Sequence, residues 1–345
     1  MTGPLAAPEF GALVISLDFE LHWGVRDWAR PDSPYAANLH GARQAIPRML
    51  ETFEEFDVAA TWATVGLLFA GSKDEAGAFR PRVLPRYRNS ALFPYDEPVG
   101  RDESEDPLHF GRSLLEAIRR TPRQEIGSHT FSHYYCREPG QDSTAFAADI
   151  DSAVGIAAAC DVDLRSLVFP RNQVDADYLD VVAGHGFVAY RGTQRGWLNR
   201  WRGMEGFGLP ARVTRVVDSY VNVTGSSLGE WTGLRDPAGL CNIPATRFLR
   251  PYTPRLRHLE PLRVRRISRA MTKAATSKAV FHLWWHPHNF GIHVEENLRT
   301  LRRVLGHFSA LRRAHGMRSM TMSEVAAAVG ATRREPPAPP RTPAR

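Results

Sequence analysis

Short apolar runs alternate along the chain with segments whose apolar residues recur at helical spacing. The apolar runs predict buried strands, because they are short and rich in branched side chains. Helical spacing that follows proline or polar residues predicts helices. The predicted strands cover 12–17, 59–68 (passing into a helix), 125–127, 167–170, 187–190 and 279–285, and the predicted helices cover 41–56, 108–120, 142–160, 178–185 and 294–308.

This alternation predicts an α/β fold with a parallel sheet or a (β/α) barrel. The chain has 345 residues, 43% of them hydrophobic, which is enough for one large core. We expect an N-terminal tail over 1–9, one domain over 10–330 and a Pro-rich disordered tail over 331–345. Residues 71–107 lack periodicity and predict a long insertion in that domain or a substrate-side loop.

The first polar cluster is Asp18-Phe19-Glu20, directly after the first predicted strand. Side chains two apart on an extended segment point to the same side, so both carboxylates could face one pocket. One could ligate a metal while the other accepts a proton from water. The alternative is a pair of solvated acids at the end of a strand.

The second cluster contains His129 and His133, which lie four residues apart. On a helical turn they would share a face and could bind one cation. Two imidazoles with a carboxylate suit a catalytic Zn²⁺. An accidental surface pair is the alternative. Cys136 is a conceivable further ligand, although a buried bystander thiol fits it better.

The third cluster, Trp284-Trp285-His286-Pro287-His288-Asn289, ends an aromatic-rich strand. His286 could protonate a leaving amine, and Trp284 and Trp285 could stack against a sugar ring with His288 nearby. The alternative is a core strand with a capped histidine. His282, inside the strand, is interpreted as structural.

Another polar segment, Phe169-Pro170-Arg171-Asn172-Gln173, follows the short strand at 167–170. Arg171 could hold a carboxylate base in a bidentate pair and keep it ionised. Asn172 is a candidate substrate-binding residue. A surface salt bridge of Arg171 is the equally weighted alternative.

In chain order, these clusters resemble the motifs of the polysaccharide deacetylase (NodB-like) family, carbohydrate esterase family four. The resemblance rests on Ser16–Glu20, on His129–His133, on Phe169–Asn172 and on Leu283–His286. It implies a distorted (β/α) barrel with loop insertions. It also implies a divalent metal ion, with Zn²⁺ expected and Co²⁺, Ni²⁺ or Mn²⁺ as alternatives.

The resemblance implies that His129 and His133 are metal ligands. Most family members place the metal-binding aspartate directly after the base, where this chain has Phe19. Glu20 is therefore the expected third ligand. An exchange of roles between Asp18 and Glu20 is the alternative.

The resemblance further implies that Asp18 is the catalytic base, that His286 is the general acid, and that Arg171 orients the base. The family's R-x-P-x-G motif appears here with proline before arginine and without glycine. The loop that carries Arg171 therefore departs from the family pattern.

The expected function is metal-dependent removal of an N-acetyl (acyl) group from an amino sugar or sugar precursor, in carbohydrate metabolism. One alternative is hydrolysis of another non-peptide C–N bond on the same scaffold. A second alternative is a catalytically inactive carbohydrate-binding homologue, which the missing aspartate at position 19 motivates.

The net charge of +7 is concentrated in 250–278 and in the last dozen residues. We hypothesise that the basic side chains of 255–273 contact a phosphate-linked substrate or, peripherally, an anionic membrane. The alternative is an amphipathic helix packed through Leu262, Val264, Ile267 and Met271. The basic residues are Arg255, Arg257, Arg263, Arg265, Arg266, Arg269 and Lys273.

The basic run lacks interleaved aromatic residues, so a nucleic-acid partner is not expected. The chain has three cysteines without a C-x-x-C pair, and its N-terminus lacks the pattern of an export signal. No window predicts a transmembrane segment. The expected location is therefore cytoplasmic, and the sequence leaves the oligomeric state open.

Overall fold

The computed structural model describes residues 7–193 and 227–330. The Pro-rich tail expected at 331–345 and most of the tail expected at 1–9 lie outside these residues. The described strands are β1 (Ala12–Phe19), β2 (Ala60–Thr64), β3 (Gln124–Ser128), β4 (Ser166–Leu167), β5 (Ala189–Gly192), β6 (Cys241–Pro244), β7 (Arg247–Phe248), β8 (Val280–Trp285) and β9 (Arg318–Met320).

The strands form one parallel sheet in the order β6-β5-β4-β3-β2-β1-β8-β7, with β9 also paired to β1. The two outermost strands, β6 and β7, are separated by only Ala245 and Thr246 in the chain. The sheet must therefore curl until its edges approach each other. The curled parallel sheet with its surrounding helices is the distorted (β/α) barrel that the sequence predicts, and that prediction is confirmed.

Helices connect and cover the strands. They are α1 (Ala36–Glu55), α2 (Lys73–Ala78), α3 (Arg112–Arg120), α4 (Ser143–Ala159), α5 (Leu179–Gly184), α6 (Glu260–Thr276), α7 (Val294–His315) and α8 (Met322–Ala328). The predicted helices correspond to α1, α3, α4, α5 and α7, with ends shifted by a few residues. The predicted insertion at 71–107 contains α2 and two short 3₁₀ turns, at Ser90–Leu92 and Pro94–Asp96.

Successive side chains of β1 point alternately to the two faces of the sheet, one packed against the helices and the other turned to the inside of the barrel. Leu13, Ile15, Leu17 and Phe19 join the large apolar cluster beneath the helices. The opposite face begins with Ala12 and Val14, which belong to a second apolar cluster. Asp18 continues that inner face at the carboxyl end of the strand, because side chains alternate along a strand. Phe19 is therefore a core residue, which explains why this position carries no carboxylate.

The segment that carries the histidine pair is not helical. His129–His133 is an irregular loop after β3, with left-handed φ values of 63° at Thr130 and 57° at His133. The expectation of a helical turn is therefore wrong, although the two imidazoles still meet. Local side-chain bonds hold this geometry, among them the Thr130 hydroxyl oxygen, which accepts a hydrogen bond from the Tyr134 N–H at 2.7 Å.

The basic stretch 255–273 lies mainly in α6. Arg263 and Arg266 are buried, and Arg263 donates to the Glu260 carboxylate and to the Arg250 and Pro251 carbonyls. Ile267 and Met271 pack inward as expected, whereas Leu262 is exposed. The seven basic residues thus do not form one continuous charged surface.

Cys136, Cys160 and Cys241 are buried and free of disulfide bonds. No helix among the described residues is both long and apolar enough to cross a membrane.

Candidate metal centre and active site

A cavity of about 410 Å³ opens at the carboxyl ends of the strands. In β/α folds this end of the sheet collects functional groups from several loops. The cavity is lined by Asp18, Glu20, Gly24, Val25, Trp28, Tyr35, His133, Arg171, Asn172, Phe248, Pro251, His286, His288 and Asn289.

Glu20, His129 and His133 form a buried cluster of three ligand atoms beside this cavity. Glu20 Oε2 lies 3.2 Å from Nε2 of each histidine. The Nδ1 of His129 lies 2.8 Å from the Val168 carbonyl oxygen, which can only accept. His129 therefore carries its proton on Nδ1 and directs the lone pair of Nε2 toward Glu20.

Three observations show that Glu20, His129 and His133 are suited to bind a Zn²⁺-type ion. Nε2 of His129 has no hydrogen-bond partner among the described residues, although it is buried. Burial lowers the pKa of His133 to about 4, in spite of the nearby Glu20 carboxylate, so this ring is neutral. Burial opposes ionisation of Glu20, but His286 and the histidine pair hold its pKa well below the usual value. Two neutral imidazoles and one carboxylate are typical Zn²⁺ ligands.

Gly24 makes room for the Glu20 carboxylate. A Cβ atom at position 24 would lie 2.0 Å from Glu20 Cδ, far inside van der Waals contact. Because only glycine avoids this clash, the short turn at Leu21–Gly24 fixes the place of the ligand.

Asp18 is held by Arg191, which the sequence analysis did not consider. Arg191 donates from Nη1 to Asp18 Oδ1 at 2.6 Å and from Nη2 to Oδ2 at 2.8 Å. Burial raises the pKa of Asp18, but the Arg191 guanidinium, together with His129 and His286, lowers it below its usual value. Asp18 is thus kept ionised by a bidentate pair.

The expected contact of Arg171 with Asp18 is wrong. Arg171 Nη2 instead donates to Asp27 Oδ2 at 2.5 Å, and its guanidinium lies 4.5 Å from the Tyr135 ring centroid. Arg171 lies in a 3₁₀ turn with φ of 53°, which directs it to the cavity wall. Arg191 reaches Asp18 because it points to the inner face of β5.

A polar network beneath the cavity fixes Arg191. Its Nε donates to Asn172 Oδ1 at 3.1 Å, and its Nη1 also donates to Ser16 Oγ at 3.1 Å. His282 Nε2 lies 2.8 Å from the same Ser16 hydroxyl, and burial lowers the pKa of His282 to about 3. His282 is therefore neutral and internal, in keeping with its structural interpretation. Asn172 lines the cavity but uses its carbonyl oxygen on Arg191.

The His286 imidazole lies close to the carboxylates of both Asp18 and Glu20. Its Nε2 lies 3.6 Å from both Asp18 Oδ2 and Glu20 Oε1, and about a quarter of its side chain is exposed (26%). The Asn289 amide lies 3.4 Å from Nδ1 of His286, which favours a proton on the Nε2 that faces the site. His288 is buried and stacked on His286, with ring centroids 5.2 Å apart.

Neither of the two predicted sugar-stacking tryptophans lines the cavity. Trp285 is fully buried in the core and stacks on Phe290, so its expected role is wrong. Trp284 points to the inner face, where the Arg191 guanidinium lies 4.2 Å from its ring centroid. The exposed aromatic ring at the cavity is Trp28, with 59% of its surface accessible.

Residues 40–190 match the family model of the polysaccharide deacetylases. These residues resemble a polysaccharide deacetylase domain, and the match covers 151 of the 345 residues. The domain indicates a hydrolase of amide carbon–nitrogen bonds, as the sequence analysis predicts. No curated protein sequence matches the chain.

Solved structures with the same fold cover nearly the whole chain. A Mycobacterium smegmatis protein described as a polysaccharide deacetylase is 13% identical, with a TM-score of 0.55 and 98% of each chain covered. A Pseudomonas aeruginosa protein with the same description is 11% identical, with a TM-score of 0.51 over 94% of this chain and 92% of the other. A PuuE allantoinase is 12% identical, with a TM-score of 0.50 over 94% and 92%. At these identities the structures support the fold alone.

Arg191, Gly24 and Trp28 belong to this candidate site but were not singled out from the sequence. Arg191 directly follows a predicted strand, and the rule that polar groups gather at strand ends would have included it. Gly24 and Trp28 carry no such signal, because their roles depend on a short turn that brings them back to the cavity.

Proposed function

We propose that the protein is a metal-dependent deacetylase that removes an N-acyl group, foremost acetyl, from an amino sugar. The observation that carries the proposal is the convergence of Glu20 with the two histidine Nε2 atoms, at 3.2 Å each, next to a separately held Asp18. This arrangement supports Glu20, His129 and His133 as ligands and Asp18 as base.

A divalent ion held by these ligands supplies Lewis-acid assistance to the amide carbonyl and makes water a stronger nucleophile at neutral pH. Asp18 accepts the proton of the attacking water. The Arg191 pair fixes the direction of its carboxylate and keeps that carboxylate ionised, so the base is ready at neutral pH.

His286 supplies the proton that the departing amine needs. Its Nε2 faces the cavity within 3.6 Å of both carboxylates, so the acid and the base lie on adjacent sides of one space. To supply that proton the ring must start as an imidazolium, because a neutral imidazole cannot give up its only N–H, and the ring is left neutral once Nε2 has delivered its proton. The amine then leaves as a neutral group while the acetate remains.

We propose a carbohydrate substrate whose ring stacks on Trp28. This indole is exposed at the cavity rim, and its edge-on neighbour Tyr35 holds it at a centroid distance of 4.6 Å. Aromatic faces offer a large apolar area to the C–H face of a sugar ring. A narrower form of this proposal is that the sugar is linked to a phosphate group. The exposed Arg265 and Arg269 are then the candidate residues that bind this phosphate.

The proposal is tested by acetate release from N-acetylglucosamine oligomers and from a nucleotide-linked N-acetyl sugar. A chelator should abolish release, and Zn²⁺, Co²⁺, Ni²⁺ or Mn²⁺ should restore it. His129→Ala should lose the ion of the Glu20/His129/His133 site together with activity, whereas His315→Ala, on an exposed histidine at the end of α7, should keep both.

Two further variants separate the ligand from the base. Glu20→Gln should lose the metal of the Glu20/His129/His133 site, while Asp18→Asn should retain that metal but lose turnover. Chelator-resistant acetate release by the wild-type protein would refute the proposed function. Release of ammonia or ring opening of a cyclic amide, without acetate release, would move the activity to another C–N bond.

A further inference from the structure

A second group of imidazoles and carboxylates lies outside the catalytic cavity. His22 and His109 are buried, and the partly buried Glu97 reaches the space between them. His22 Nδ1 lies 2.9 Å from His109 Nε2. Glu97 Oε1 lies 3.4 Å from the former atom and 3.6 Å from the latter.

The outer nitrogen of each ring is already bonded to an acceptor. His22 Nε2 lies 2.8 Å from the Ala29 carbonyl oxygen, and His109 Nδ1 lies 2.8 Å from Asp106 Oδ2. A carbonyl oxygen and a carboxylate oxygen can only accept, so both outer nitrogens must carry protons. The inner nitrogens are thus 2.9 Å apart with either a proton or a metal ion between them, and the Glu97 carboxylate adds a negative charge beside both.

The Glu97 oxygen and the two inner nitrogens converge on one point, as three ligands of a metal ion do. We propose that His22, His109 and Glu97 form a second metal site, separate from the catalytic one, that takes Zn²⁺ or a similar divalent ion. Tetrahedral Zn²⁺ with these ligands places the ligand atoms about 3.3 Å apart, close to the three distances seen. The site is independent of the proposed reaction.

The groups behind the ligands match those of known metal sites. Metal-bound histidines donate their other N–H to a carboxylate or a backbone carbonyl, which are the two partners present here. Asp106 is itself held in place, since its carboxylate accepts from the Gly100, Leu108 and His109 N–H groups. Both imidazoles are thus oriented before any ion binds.

The position of the site indicates a structural role. His22 belongs to the turn at Leu21–Gly24 that follows Glu20, whereas Glu97 and His109 belong to or border the insertion at 71–107. The Trp23 indole N–H donates to the His109 carbonyl oxygen at 2.9 Å, across the same junction. A bound ion would fasten the insertion to the turn that positions the catalytic ligand.

Metal analysis of the full chain tests the inference. Purified protein incubated with Zn²⁺ and desalted should hold two equivalents. The double variant His129→Ala/His133→Ala should hold one, and X-ray absorption of that ion should show nitrogen and oxygen ligands with two imidazoles. Glu97→Gln in the wild-type background should reduce two equivalents to one, while Glu105→Gln, on an exposed carboxylate of the same segment, should keep two.

The competing state is a shared proton, with one ring an imidazolium. One equivalent in the wild-type protein that is lost entirely in the double variant would overturn the inference, as would ¹⁵N spectra that show an imidazolium at His22 or His109 in zinc-loaded protein. The Glu97→Gln comparison needs no catalytic-site variant, so it decides the question if the double variant does not fold. Acetate release decides the proposed function separately.

Discussion

At the scale of single residues, Gly24 is the position where the least change should have the largest effect. A methyl group at position 24 would occupy the place of the Glu20 carboxylate, since its Cβ would lie 2.0–2.5 Å from the three carboxyl atoms. We predict that Gly24→Ala lowers metal affinity by about 10–100-fold. This is the usual loss when a residue that positions a metal ligand is changed. Metal titration with a competing chelator measures this loss.

Gly77→Ala is the matched control for this substitution. A Cβ at Gly77, inside α2, meets nothing within 4 Å, so metal binding should be unchanged. Equal metal affinity in Gly24→Ala and wild-type protein would show that the carboxylate does not need this space.

Arg191→Lys tests the second residue-scale inference. Lysine keeps the charge but cannot form the bidentate pair with Asp18. We expect kcat to fall about 100-fold, because the base loses its fixed direction. The acidic limb of the kcat/KM profile should also move to higher pH, because the bidentate hydrogen bonds from Arg191 help to hold the pKa of Asp18 down.

Arg112→Lys provides the comparison, because Arg112 pairs with Glu75 away from the cavity. Its pH profile should match that of the wild-type enzyme. An unshifted acidic limb in Arg191→Lys would mean that Asp18 is not the group that titrates there.

The two arginines also show what a sequence can and cannot reveal at this scale. The sequence predicts that a guanidinium orients the base, but it favours Arg171 because that residue sits in the family-like motif. Which arginine meets Asp18 depends on the register of β5 against the neighbouring strands and on the left-handed turn at Arg171. Neither is visible in the order of residues.

At the scale of elements, Asp149 in α4 shapes the histidine loop. Its Oδ1 accepts from the Phe131 N–H at 2.7 Å, and its Oδ2 lies against the Ser132 hydroxyl. Burial raises the pKa of Asp149 from 3.8 to about 6. In the protonated form, one oxygen accepts from the backbone while the other donates to Ser132.

This raised pKa gives a pH dependence of defined sign. Asp149 stabilises the fold fully below about pH 4, and that contribution is lost as pH rises through about 6, because the unfolded chain ionises first. Asn mimics the protonated acid. We predict that the stability of wild-type protein relative to Asp149→Asn falls between pH 4 and 6, measured by denaturant titration.

Asp149→Ala should behave differently from Asp149→Asn. It leaves the buried Phe131 and Ser132 N–H groups without their acceptor, at about 1–3 kcal/mol for each. The result should be lower stability at every pH, together with weaker metal binding. A pH-independent difference between wild type and Asp149→Asn would contradict the raised pKa.

Two elements mark the limits of pattern analysis. The spacing of His129 and His133 is compatible with a helical turn, yet left-handed residues at Thr130 and His133 form a loop instead. A threonine and a histidine at these positions do not by themselves predict a positive φ. In contrast, α2 could have been found, because Ser72 caps the Glu75 N–H three residues on, a known helix-start pattern.

At the scale of the whole molecule, the sequence predicts the barrel but not its closure. The strands that bring the edges together, β6 and β7, are only four and two residues long. Such elements are too short for periodicity to reveal. The long strands and helices were predictable because their apolar faces are extended, and these faces also place Asp18 and His286 at the same end of the sheet.

The opposite end of the barrel is closed by α8. The Met322 N–H donates to Thr61 Oγ1 at 2.9 Å, and the Ser323 N–H donates to Glu125 Oε2 at 3.2 Å. Met322, Val325 and Ala326 fill the second apolar cluster. In barrels of this type, stability resides at the end away from the site, whereas chemistry resides at the carboxyl ends of the strands.

This division gives the last prediction. Met322→Ala removes a fully buried side chain and should lower the free energy of unfolding by about 2–5 kcal/mol. The folded fraction should keep its metal content and kcat, because no residue of α8 lines the cavity. Leu262→Ala, at a side chain that is 43% exposed, should change stability by less than about 0.5 kcal/mol. Loss of metal from folded Met322→Ala protein would show instead that the two ends of the barrel are coupled.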